Sequence, residues 1–178
     1  MANPHLEAVW AKLLYLAPSP LYERSKPYYI AGVQPAETKQ TNKTFAPRKT
    51  EIINARGNEG NFSIDENGFE CVDYPLESAI ESTDDRQRYM RDMEDFFKGC
   101  LKAEHVYAYD CVRPLVDIVE IQPLAICDSI SLHEKDLIAC DETYPHVTTE
   151  IFHVLHNPDQ RWYYLREQKR EEVLLMRN

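Results

Sequence analysis

Apolar side chains at Leu6, Val9, Trp10, Leu13 and Leu14 recur at three- and four-residue steps, which predicts an amphipathic helix over residues 5–16. The end of that stretch, Lys12 to Leu16, reads equally well as a strand stopping at Pro18. Pro18, Pro20, Pro27, Pro35 and Pro47 then punctuate residues 17–47, which predicts an extended arm rather than a layered element. Lys49–Asn54 and Phe62–Asp65 read as strands, and Asn67-Gly68 is a tight-turn signal before a strand at Phe69–Val72. Thr83, followed by Asp84 and Asp85, caps a helix whose face carries Tyr89, Met93, Phe96, Phe97, Cys100 and Leu101. That stripe is expected to be core.

Strand-like segments follow at His105–Cys111, Val112–Val119, Leu124–Cys127, His146–Leu155, Arg161–Leu165 and Glu172–Met176. One short helix interrupts them, capped by Ser131 with Glu134 three residues on. A helix followed by many short strands with Pro- and Asp-rich turns predicts an α+β fold with an antiparallel sheet or partial barrel. The length, 178 residues, suits a single domain over 1–178, with residues 1–47 as an arm and 48–178 as helix plus partial β-barrel.

Composition narrows the function classes. Twenty basic against 30 acidic residues leave a net charge of −10, which argues against a protein that tracks nucleic-acid phosphates. The charge is uneven: residues 1–50 carry net +4 and residues 51–150 net −15. An acidic middle favours a neutral or cationic ligand. No apolar run reaches membrane-spanning length, and the first residues lack the basic and small-residue features of a secretion signal. A cytoplasmic location and buried, reduced cysteines are therefore expected. The five cysteines show no paired spacing for zinc or redox chemistry.

Local motifs for nucleotide, phosphate or hydrolase chemistry are absent. His146, His153 and His156 fall in a strand-like stretch, where residues 153 and 156 point to opposite faces, so no metal site is expected there. On a strand, Tyr107, Tyr109, Cys111 and Arg113 would share one face, with Asp110 on the other. Such a face suits a pocket for an oxygenated substrate; a half-buried strand with amphipathic tyrosines is the alternative. Trp162 and Tyr164 likewise share a face.

Several phrases, read in order, resemble one family. They are Tyr15-Leu16-Ala17-Pro18, Lys26-Pro27-Tyr28, Thr41-Asn42, Ile53-Asn54-Ala55-Arg56-Gly57, Phe62 to Glu70, Val112-Arg113-Pro114-Leu115, Gln122 to Asp128, Asp136-Leu137, Arg161 to Tyr164 and Glu172 to Leu175. The set resembles the fungal cephem-methoxylase-like and gibberellin-desaturase-like proteins, jelly-roll enzymes that use non-haem Fe(II) and 2-oxoglutarate. The resemblance implies a jelly roll, or double-stranded β-helix. Two segments of the family pattern have no counterpart here. Val106–Asp110 runs almost directly into Val112–Leu115, where the family inserts two iron ligands, and the distal histidine with its co-substrate arginine would lie after Leu175.

The expectation is thus a truncated jelly roll with a long helix in its N-terminal half, no metal and no cofactor. Its function would be a cyclisation or isomerisation, a pericyclic one included, of a natural-product intermediate in fungal secondary metabolism. Arg113 and Tyr109 would polarise a carbonyl. Asp110, His133 or Tyr164 would assist proton transfer, and Tyr107, Trp162 and Tyr164 would bind substrate. A non-catalytic accessory protein or pseudoenzyme is the alternative. A homodimer is expected to cover exposed strand edges, with neither nucleic acid nor membrane as partner.

Overall fold

The computed structural model describes residues 7–32, 37–74, 82–102, 104–105, 114 and 116–176. Among them the fold is mostly β-sheet with one α-helix. The first sheet has the order β1-β3-β8-β5, built from Ala8–Leu16, Phe45–Asn54, Trp162–Tyr164 and Ala125–Cys127. The second has the order β2-β6-β7, from Tyr28–Ile30, Leu137–Tyr144 and Val147–Val154. Phe69–Asp73 (β4) and Glu172–Met176 (β9) form an antiparallel pair. The helix α1 spans Thr83–Leu101.

The first element corrects a sequence expectation. Residues 8–16 form strand β1, not a helix, and pair antiparallel with β3 from Ala8↔Ile53 to Leu16↔Phe45. The apolar positions that suggested a helical stripe divide between two strand faces. Tyr15 is buried on one, while Trp10 and Leu14 stand 59% and 70% exposed on the other. A local period could not arbitrate; nine cross-strand pairs did.

The expected arm is also more ordered than its prolines suggested. β2 lies within it and pairs in parallel with β6, from Tyr28↔Asp141 to Ile30↔Thr143. β3 starts at Phe45 and includes Pro47. β8 pairs with β3 only at residues 52–54, so the missing N–H of Pro47 interrupts no ladder between those two strands.

Phe62–Asp65 is not a strand. Asn67 donates its backbone N–H to the Ser63 carbonyl at 2.8 Å, closing a turn. Gly68 has φ 75°, and a Cβ there would meet the Ser129 Cβ at 2.9 Å, so the glycine signal marked a real turn. It does not join two hairpin strands, however: β4 pairs with the distant β9.

The helix starts one residue earlier than its sequence signal, with Ser82 as N-cap in a reciprocal capping box with Asp85. Tyr89 and Met93 are buried, Phe96 and Phe97 half-buried, and Cys100 exposed, so the core stripe is narrower than expected. The Ser131 helix is replaced by two single 3-10 turns. Ser131 Oγ donates to the Asp128 carbonyl at 2.7 Å and accepts from Arg161 N–H at 2.9 Å, so it ties two chain segments instead of capping a helix.

β5, β7, β8 and β9 lie within the segments expected for them. A central apolar cluster of Phe69, Ile126, Leu165 and Leu174 collects residues from β4, β5, β9 and the end of β8, with Phe62, Cys71 and Tyr163 against it. Phe62 stacks on Phe69 at 4.8 Å and meets Tyr163 edge-on at 4.8 Å.

Candidate functional site

Strand β8 sits between β3 and β5, and its alternation sends neighbouring aromatics to opposite faces. Tyr163 joins the apolar cluster. Trp162 meets Tyr15 of β1 edge-on at 5.9 Å, and Tyr15 meets His156 edge-on at 5.0 Å. Three aromatic groups from three chain regions thus form one wall. The Tyr15 hydroxyl lies 3.3 Å from Thr50 Oγ1, and burial raises the phenol above its ordinary range, so it stays protonated.

The Trp162 Nε1 proton is buried and makes no hydrogen bond of good geometry, although the Tyr15 hydroxyl lies close enough to feel it. A buried donor without a full partner is costly, by about 1–3 kcal/mol. Here it stands beside a phenol, within the aromatic wall. Cys127, paired with Trp162 across the ladder, has its thiol pushed by burial up to about 11, which leaves it protonated at neutral pH.

Of the residues singled out in the sequence, Tyr107, Tyr109, Asp110 and Arg113 lie outside the described residues. Cys111 does as well. Trp162 joins the aromatic wall. Tyr164 is buried and lines an apolar cavity of about 10 Å³ with Ala55, Phe62 and Leu174, too small for a substrate. His133 is exposed and precedes a single 3-10 turn, without a side-chain cap bond. His156 is weighed in the sequence only as a metal ligand and Tyr15 only as part of a family phrase, and no local signal joins them: they are 141 residues apart and meet only because β1 and the segment after β7 converge.

A second cluster escaped sequence reading. Lys43 Nζ donates to Glu142 Oε1 at 3.1 Å and to His153 Nε2 at 3.0 Å, and stands over the Tyr29 ring at 5.5 Å. The Lys43 side chain is only 7% exposed. Burial and the Lys43 charge both hold the His153 imidazole below its ordinary pKa. Burial would raise the Glu142 carboxyl, but hydrogen bonds from Lys43 and from Tyr144, at 2.9 Å, outweigh it and lower it. Cys140 is fully buried nearby, and its thiol is raised by burial and partly restored by Lys43. Because Lys43 spends its donors within this cluster, it acts as a hub between the 41–44 segment and the β6–β7 hairpin.

Iron in a 2-oxoglutarate enzyme needs about three convergent histidine or carboxylate donors. Among the described residues, no three His, Cys, Asp or Glu groups gather in that way. His153 is held by Lys43, His156 packs on Tyr15, and His105, His133 and His146 are exposed. The described residues do not fit the metal. Among them, no helix is long and apolar enough to cross a membrane.

Comparison with known proteins agrees with the β-rich fold. The chain matches the family described as oxidoreductase/YMDC permease-like domain over residues 13–112 and 111–178. It is 26% identical over 144 residues to the hydroxylase/desaturase asaB of Aspergillus flavus, covering 71% of this chain and 60% of that protein. It is 31% identical over 96 residues to an uncharacterized protein in the dcmA 3' region of Methylophilus leisingeri, covering 52% of this chain and 44% of that protein. The chain thus spans about half of these relatives' length. Among solved structures it resembles the iron and alpha-ketoglutarate-dependent endoperoxidase NvfI, with a TM-score of 0.76 and 20% identity over 96% of this chain and 84% of that one. A single-substitution variant of that enzyme gives a TM-score of 0.82 at 18% identity, over 99% of this chain and 84% of that one. These likenesses show an iron/2-oxoglutarate-oxygenase-like fold.

Proposed function

The chain belongs to the family described as oxidoreductase/YMDC permease-like domain, and from that premise we propose that it handles a natural-product intermediate on an oxygenase scaffold without using iron. The reaction class is a cyclisation or isomerisation promoted by binding and orientation. Holding a substrate in a reactive shape is worth up to about 7–11 kcal/mol without any cofactor. The fold is read as a shortened jelly roll. The names of the Aspergillus relative and of the structural neighbour, a hydroxylase/desaturase and an endoperoxidase, support a role in modifying organic metabolites.

The observation that carries the site is the buried Trp162 N–H, which makes no hydrogen bond of good geometry, beside the Tyr15 hydroxyl. A substrate carbonyl reaching it would accept from the indole N–H in a water-poor wall, an arrangement that stabilises developing negative charge. Tyr107, Tyr109, Asp110, His133, Arg113 and Tyr164 remain proposed contributors.

Trp162→Phe tests the assignment. It keeps an aromatic ring against Tyr15 but removes the N–H together with the five-membered ring, so a modest loss of thermal stability is expected alongside a much larger loss of turnover of the intermediate. Equal loss of stability and turnover would mean that the indole is only packing. Metal titration by calorimetry tests the iron-free reading: no stoichiometric Fe(II) uptake is expected with 2-oxoglutarate present. One tightly held iron per chain would overturn it.

A non-catalytic accessory role is favoured by a different observation. Phe152 and Ile121 are 59% and 81% exposed, large apolar groups available to a partner. Self-association into a homodimer belongs to this reading; light scattering at the 20.8 kDa mass of one chain would remove it.

A further inference from the structure

The outward face of the antiparallel β1–β3 pair carries three successive cross-strand pairs: Trp10↔Glu51, Lys12↔Lys49 and Leu14↔Pro47. All six residues are exposed. The middle pair sets two ammonium groups on directly opposed positions, an arrangement that costs stability in an antiparallel ladder. Lys49 stands over the Trp10 ring at 4.8 Å, so the cation and the indole form one surface element. Among the described residues, neither lysine makes an ion pair. Glu51 lies across from Trp10, at the end of the strip, which leaves the positive charge on the Lys12–Lys49 pair.

The two lysines stand on a chain whose overall net charge is −10. A repulsive cationic pair flanked by an exposed tryptophan and leucine is a poor solvent-facing solution and a good complement to carboxylates. A two-fold copy of the same strip would stack lysines on lysines, so an isologous contact here is disfavoured. We propose that this strip docks an acidic polypeptide, with carboxylates reaching the Lys12–Lys49 pair and apolar groups covering Trp10 and Leu14.

The test titrates the full chain against fluorescently tagged poly-L-glutamate by anisotropy at low salt. Binding is expected, weakening steeply as salt is raised. The Lys12→Glu/Lys49→Glu double variant should weaken it by at least about tenfold. Lys12→Thr should weaken binding while melting at or above the wild-type temperature, because it removes the like-charge opposition. Absent or salt-insensitive binding, or binding unchanged in the double variant, would overturn the proposal. So would a Lys12→Thr variant that melts lower, which would make the lysine structural. Binding to phosphatidylserine vesicles but not to poly-L-glutamate would assign a lipid surface instead. A concentration-dependent mass increase in light scattering, lost in the double variant, would assign a second copy of the chain.

Discussion

Arg56 and Lys26 each stand between two carboxylates and each closes a chain separation of more than a hundred residues, yet they are built to different effect. Arg56 Nη1 and Nη2 meet the two Glu172 oxygens at 2.6 and 2.9 Å, and Nη1 reaches Glu59 at 3.2 Å. The same guanidinium donates to the Arg166 and Glu167 carbonyls, so every face of its planar fork is used. The Glu172 side chain is only 11% exposed. Lys26 bridges Asp141 and Glu150, whose side chains are 43% and 53% exposed. Two ion triads of similar loop length thus differ in burial and in donor geometry. Charge count therefore says little about what a contact contributes; desolvation and the number of fixed acceptors decide it.

The largest effect is expected at the Arg56 triad, where Glu172 is the most buried member. Arg56→Ala should cost about 3 kcal/mol in urea unfolding, because it strands Glu172 and frees two backbone carbonyls at the junction of β3 and β9. Arg56→Lys should recover only part of this, since an ammonium cannot satisfy both Glu172 oxygens and the carbonyls at once. The Arg56 guanidinium holds the Glu172 carboxyl below its ordinary 4.5. A lowered carboxyl contributes stability that is present above that value and lost as pH falls through the folded-state pKa. The wild type should therefore lose stability below about pH 4.5, and Arg56→Ala should show a shallower acid-side slope.

An intermediate effect is expected at Lys43, whose side chain is the least exposed of the three cations but which makes fewer hydrogen bonds than Arg56. Lys43→Met should cost about 2 kcal/mol by leaving Glu142 and His153 without their donor. The His153 imidazole is held below 6.5, so the unfolded chain takes up its proton first and stability falls as pH drops below that value. Burial remains in Lys43→Met but the cation's repulsion does not, so this acid-side loss should shrink. A slope unchanged from wild type would show that burial alone lowers the histidine.

The smallest effect is expected at the exposed triad. Lys26→Ala should leave the urea midpoint indistinguishable from wild type, at low and at high salt alike. A clear shift at low salt, erased by added salt, would show that the exposed triad contributes more than its geometry implies and would narrow the contrast with Arg56.

The later strands were legible because their evidence is local. Glu172–Met176 and Arg161–Leu165 are short runs of β-formers bounded by turn residues, and each contains the observed strand. The capped helix was legible for the same reason. β6 was not: Asp141, Glu142 and Thr143 look like surface loop until Lys26 and Lys43 supply their partners from more than 90 residues away. Of the candidate site, Trp162 was legible as half of an alternating aromatic pair, whereas Tyr15 and His156 carried no mark of their own.

Alternation, capping and turn chemistry act between residues a few positions apart, so the helix, the Gly68 turn, the C-terminal strands and the likeness to an oxygenase family are readable from residue order alone. Whether Ala8–Leu16 became helix or strand was decided by the nine pairs available from β3. Tertiary structure alone also decided which aromatic would face Tyr15, which carboxylates would be desolvated, and that two lysines would oppose one another on an exposed face. Each of these depends on the register between distant strands. A shift of one residue reverses the face of every side chain, and no short-range pattern encodes it.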